Sequence, residues 1–114
     1  MLLQDFLNKL SNTPEQVEFT ETMAVIEDNY EFKATAFNNG QQKNAEGENA
    51  GSCKIFSFAQ LNKLSEAQTL ACFGTYYRDD VLAHPEAQDH QNIRQFMING
   101  WAGIDFAGTA LTAK

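Results

Sequence analysis

The apolar residues of this chain keep two different periods, and the change from one to the other sets its class. Leu2, Leu3, Phe6, Leu7 and Leu10 recur at helical spacing and make one stripe. Beyond Tyr30 the spacing shortens. Phe32, Ala34 and Ala36 alternate with Lys33 and Thr35 ahead of Phe37, the pattern of a half-buried strand. Helical spacing then returns through Leu70, Ala71, Phe73, Tyr77, Val81 and Leu82, and again through Ile93, Phe96 and Met97. The mixture predicts a helix-rich α+β domain of about five helices with a small antiparallel β element.

Local signals place the breaks. Ser11–Asn12 ends the first helix, because these side chains compete for backbone hydrogen bonds. Thr13–Pro14–Glu15–Gln16 reads as a new start, with Thr13 capping, Pro14 at the first helical position and Gln16 reaching back. The helical region running to about residue 30 is one helix or two, with a restart near Thr20. Asn39–Gly40 is a hairpin signal, since both residues tolerate positive φ. The polar stretch 41–51 then suits a weak return strand and a loop. Residues 53–64 read as strand or helix, and Ser52 as a cap favours helix. Ser65 and Gln68 form a capping box, Gly74 weakens the helix that follows, and Pro85 closes it. Asp89 is expected to cap the last helix. Trp101, Ile104 and Phe106 suit a short strand, and residues 107–114 are expected to fray.

At 114 residues the chain has room for one domain, 1–114, and it carries no repeat or linker. Nine Phe, three Tyr and one Trp exclude disorder and supply an aromatic core. The net charge of −7 disfavours nucleic acid and anionic membrane surfaces, and no apolar run is long enough to insert into a bilayer. The acidity is local: residues 1–32 hold seven acidic side chains and one basic. Glu15, Glu18, Glu21, Glu27, Asp28 and Glu31 read as a solvated face, or as a docking face for a basic partner. MLLQDFLNKL lacks the basic start and cleavage site of a secretory signal. Cys53 and Cys72 are expected to be free thiols.

Three groups of residues can carry chemistry. Cys53 or Cys72 can act as nucleophile with His84 or His90 as base and Asp79, Asp89 or Asn92 as orienter, provided a helix start or a cation generates the thiolate. His84, Asp89 and His90, with Glu86 nearby, are the candidate metal ligands, although their spacing matches no established motif. Tyr76, Arg78, Asn92, Arg94 and Trp101 are the candidate ligand- or partner-binding residues. Arg78 and Arg94 suit a carboxylate or phosphate, or internal pairs with Asp79, Asp80 or Asp105. Tyr, Arg and Trp are also the types that dominate binding hot spots.

The strings TMAVIEDNYEF, TAFNNG, GSCKIFSFAQLN, TLACFGTYYRDDVL, HP, DHQNIRQFM and GWAGIDF occur in this order. Over about residues 18–106 they resemble the HopJ type III effector family of Gram-negative bacteria. The resemblance implies a small bacterial protein, grouped with effectors delivered into host cells by type III secretion; the missing export signal and free thiols lead to an expectation of the bacterial cytoplasm, and the core-facing first helix suits a role inside the bacterium as an alternative. It brings neither a cofactor nor an assigned reaction. The expected function is a non-catalytic binding or interaction module with a host or bacterial protein partner. The alternatives are a small Cys/His enzyme built on Cys53 with His84 or His90, and an intracellular metal-binding protein.

Overall fold

A computed structural model describes residues 2–114. Its five α-helices are α1 (Leu3–Asn12), α2 (Phe19–Asn29), α3 (Ala50–Leu61), α4 (Glu66–Ala71) and α5 (Gln91–Asn99), joined by a π-helical segment at Tyr76–Val81. Five short strands form two antiparallel sheets: β1 (Tyr30–Phe32) pairs with β5 (Leu111–Ala113), and β2 (Phe37–Asn39) lies between β3 (Gln42–Asn44) and β4 (Ile104–Phe106). The α+β class holds, with two small sheets in place of the one element expected.

The helices surround α3, whose Cys53, Ile55, Phe56, Ser57, Phe58 and Ala59 are all buried. A helix covered on nearly every side loses its apolar stripe, which is why residues 53–64 read ambiguously from spacing. Phe58 forms T-shaped pairs with Phe6 of α1 (centroids 5.8 Å) and with Tyr30 (5.9 Å). Phe56 meets Phe37, Phe73, Phe96 and Trp101. Edge-on and tilted geometries bring the positive edge of one ring to the negative face of the next.

Several local expectations shift. Thr13–Gln16 gives a single 3-10 turn at Pro14–Gln16 with no side-chain cap. The helix proper restarts at Phe19, where the Glu21 carboxylate accepts the Glu18 N–H at 3.0 Å. Asn39 pairs with Gln42, so Gly40 and Gln41 are the turn. Gly40, at φ +58, is therefore the first central residue, the position where a II′ turn takes glycine. Ser65 and Gln68 do form the capping box, with Gln68 N–H to Ser65 Oγ at 3.1 Å. Gly74, at φ +60, interrupts the expected continuous helix, and the chain resumes as a π turn with Leu82 N–H on the Tyr77 carbonyl at 3.0 Å. Asn49 and His90, both left-handed, precede α3 and α5 in place of Ser52 and Asp89. Residues 107–114 do not fray: Ala110 and Leu111 are buried, and β5 pairs with β1. Small side chains hid that strand, because Leu111 alone carries its apolar signal.

The acidic N-terminal face is largely exposed, as composition suggests, but two of its members pair internally. Glu21 meets Lys9 at 2.8 Å and Glu18 meets Arg78 at 3.0 Å.

Candidate functional site

The starts of α3 and α5 approach the same space. Between them opens a pocket of about 460 Å³. Asn49, Gly51 and Ser52 come from α3 and its cap, and His90, Gln91 and Asn92 from α5 and its cap. Phe19, Phe73 and Tyr76 provide aromatic surface, and Gln42 and Gln88 lie at the rest of the lining. The volume falls within the range of small-molecule sites. In a chain with fifteen carboxylates, none of them lines this pocket, nor does any lysine or arginine.

Asparagines fix the pocket's floor. Asn39 Nδ2 donates to the Asn92 carbonyl at 2.7 Å and to Asn92 Oδ1 at 3.1 Å. Asn92 Nδ2 donates to Asn44 Oδ1 at 2.9 Å, and Asn44 Nδ2 returns a bond to Asn92 Oδ1 at 3.1 Å. Asn49 Nδ2 also reaches Asn44 Oδ1, at 2.7 Å. Through Asn92, only 6% exposed, this network locks the β2–β3 hairpin, the start of α3 and the start of α5 together. Buried amides left without partners are costly, so the floor is rigid only as a complete set. Asn39 Oδ1 is the one buried side-chain oxygen or nitrogen among the described residues that lacks a partner.

The wall is a stack. Phe19 lies edge-on to Tyr76 (centroids 5.0 Å), and Tyr76 is tilted against His90 (5.2 Å). His90 Nε2 is 3.0 Å from Asp80 Oδ2 and 3.8 Å from Asp89 Oδ2, so two carboxylates orient the imidazole from outside the pocket.

Of the residues singled out from the sequence, Tyr76, His90 and Asn92 are brought together here. The others are engaged elsewhere. Arg78 donates to the Val17 carbonyl at 2.8 Å and pairs with Glu18, fastening the turn before α2; it pairs with neither Asp79 nor Asp80. Arg94 donates to the Asp89 and His84 carbonyls at 2.6 and 3.0 Å and to Asp89 Oδ1 at 2.7 Å, which ties down the loop ahead of α5. The Arg94 hydrogen bond holds the Asp89 carboxyl below its ordinary range. Asp89 is thus the partner of an arginine and not a helix cap. Trp101 packs edge-on to Phe96 at 5.0 Å, as part of the interior.

The Cys–His arrangement does not form. Cys53 is 1% exposed and its Sγ lies 3.5 Å from the Thr35 carbonyl. His84 is exposed, and His90 is paired with Asp80. Burial raises the Cys53 thiol and pushes Cys72 up to about 12. A helix start fails to activate Cys53 because the side chain sits on the buried face of α3. Neither thiol should therefore react with Ellman's reagent in the native state, while both should react in guanidinium. Rapid labelling of the folded protein would contradict the burial. For a metal, no group of three His, Cys, Asp or Glu side chains among the described residues is placed to hold an ion; His90 contacts Asp80 and Asp89 as ion-pair partners, and His84 is exposed.

Sequence reasoning missed Asn49, Ser52, Gln42, Gln88 and Gln91. Their signal was faint: asparagines at 39, 44 and 49 around the hairpin, and an uncharged run at 90–93 in an otherwise charged region.

Residues 3–111 match the family described as HopJ type III effector protein. No curated protein matches the chain. A solved crystal structure of a protein of unknown function, VPA0580, is 60% identical to it, with a TM-score of 0.99 over 100% of this chain and 95% of that one.

Proposed function

The chain belongs to the HopJ type III effector protein family, and from that premise we propose that it is a non-catalytic binding module whose recognition site is the pocket between the starts of α3 and α5. Delivery into a host cell by type III secretion is part of the proposal and rests on the family. The observation that carries the reading is a preformed hollow with a fixed amide floor and an aromatic wall. Such a hollow spends little ordering entropy on a ligand, because its floor is already hydrogen-bonded. Both thiols are withdrawn from solvent, which weighs against nucleophilic chemistry on cysteine.

A fragment screen by heteronuclear NMR on the full chain tests this. Hits should move the amide resonances of Gly51, Ser52, Gln91 and Asn92 together, and Ser52→Trp should abolish those shifts while leaving the spectrum folded. Hits that cluster elsewhere, or turnover of a fragment, would remove the reading.

A further inference from the structure

The pocket's chemistry narrows the kind of molecule it can take. Ordinary anion sites use arginine or lysine, and ordinary cation sites use carboxylates; here neither lines the space. What lines it is neutral and can both donate and accept: carboxamides, a hydroxyl, an imidazole and aromatic faces. Part of that capacity is unspent. Asn49 uses its Nδ2 on Asn44 and Gln91 uses its Nε2 on the Gln88 carbonyl, leaving Asn49 Oδ1 and Gln91 Oε1 as acceptors. Ser52 and the Gln88 carboxamide carry no side-chain bond to another protein group among the described residues. Tyr76 is 42% exposed, so one part of the aromatic wall is open to a ligand.

A full negative charge is disfavoured. Asp80 stands directly behind His90, and the chain as a whole is at −7. The amides at the starts of α3 and α5 still want acceptors, since neither helix has a side-chain cap or an acid in its first turn. Neutral hydroxyl oxygens meet that demand, and their protons suit the free carboxamide oxygens. An apolar C–H face would lie against Tyr76 or Phe19. One class of molecule has hydroxyls at its rim and C–H groups on its face.

We propose that the pocket binds a short neutral saccharide. The inference rests on the reading of the pocket as the recognition site and adds the ligand class. The test is an NMR titration of the full chain with maltose, cellobiose and N,N′-diacetylchitobiose, run beside glucuronate and adenosine, each taken to tens of millimolar. At least one neutral sugar should give saturable shifts at Gly51, Ser52 and Gln91, with glucuronate and adenosine giving none. Tyr76→Ala should weaken that binding about tenfold, and Tyr76→Phe should restore most of it. Saturation by glucuronate or adenosine without any sugar would overturn the saccharide assignment and leave the pocket as the site. Silence from every probe would overturn the assignment too, and the fragment screen would then decide the pocket itself.

Discussion

Phe56→Ala is expected to lower the free energy of unfolding by about 3–5 kcal/mol, the range for deleting a fully buried aromatic ring. Phe56 is 0% exposed and sits where α3 meets everything else. Its ring lies 5.0 Å from that of Phe96, 5.6 Å from Phe73, 6.1 Å from Phe37 and 6.4 Å from Trp101. Those four rings come from α5, the chain after α4, β2 and a 3-10 turn at Gly100–Gly103, so one truncation loosens four segments at once. Urea melts would measure the loss as a lower midpoint at unchanged slope. Phe56→Leu, which keeps most of the volume, should recover more than half of it. A loss near 1 kcal/mol for the alanine variant would mean that the rings close over the gap and that the core is not organised around this residue.

The second large effect belongs to Gly74→Ala, at about 2–4 kcal/mol, combining left-handed strain with a steric overlap. Gly74 has φ +60, and a Cβ there would stand 2.6 Å from the backbone nitrogen of Phe19 and 3.1 Å from Glu18 Cα. Backbone cannot swing aside as a side-chain tip can, so the start of α2 must move. Gly47 provides the control. It too has a positive φ, +89, yet nothing lies within 4 Å of its absent Cβ. Gly47→Ala should therefore cost only about 1 kcal/mol, and the difference between the two variants isolates the overlap. Because Phe19 forms one side of the pocket, the Gly74 variant should also disturb the resonances of Tyr76 and Ser52, which the Gly47 variant should leave in place. Equal losses for the two would show that Gly74 is needed for its φ alone.

Helices were legible where one face was plainly apolar, as in α1, or where a cap was conventional, as in α4 with its Ser65–Gln68 box. They were hardest to bound where the start was unconventional. Asn49 and His90 enter their helices from left-handed backbone, a conformation that composition does not announce, so Ser52 and Asp89 looked like the better caps. Gly74 was read as a mild helix weakener because propensity speaks only to its entropy. Its actual task, letting the backbone of Phe19 come near, depends on a segment far away in the chain. The site divides in the same way. Tyr76 and Asn92 are residue types suited to recognition and His90 one suited to a base or a metal ligand, and all three line the pocket. Arg78, Arg94 and Trp101 suit recognition equally and serve the loops and the core, because a residue type says what a side chain can do and not which neighbour claims it first. The carboxamides escaped notice since Asn and Gln in a polar stretch look like solvated loop until a fold places them across from one another.

The two sheets bear on how such a chain becomes folded. β1 finds its partner only in β5, and β2, although joined at once to β3, gains its second neighbour only when β4 arrives. More than half of the 114 residues separate each early strand from its late one, so a ribosome must deliver all of that intervening chain before either edge is covered. Such non-local pairings make for slow closure, and until then Tyr30–Phe32 is a bare ribbon able to pair with another nascent copy. A chain that lacks Leu111–Ala113 leaves Tyr30–Phe32 without its strand partner, so the cover of that edge depends on three residues remote in sequence.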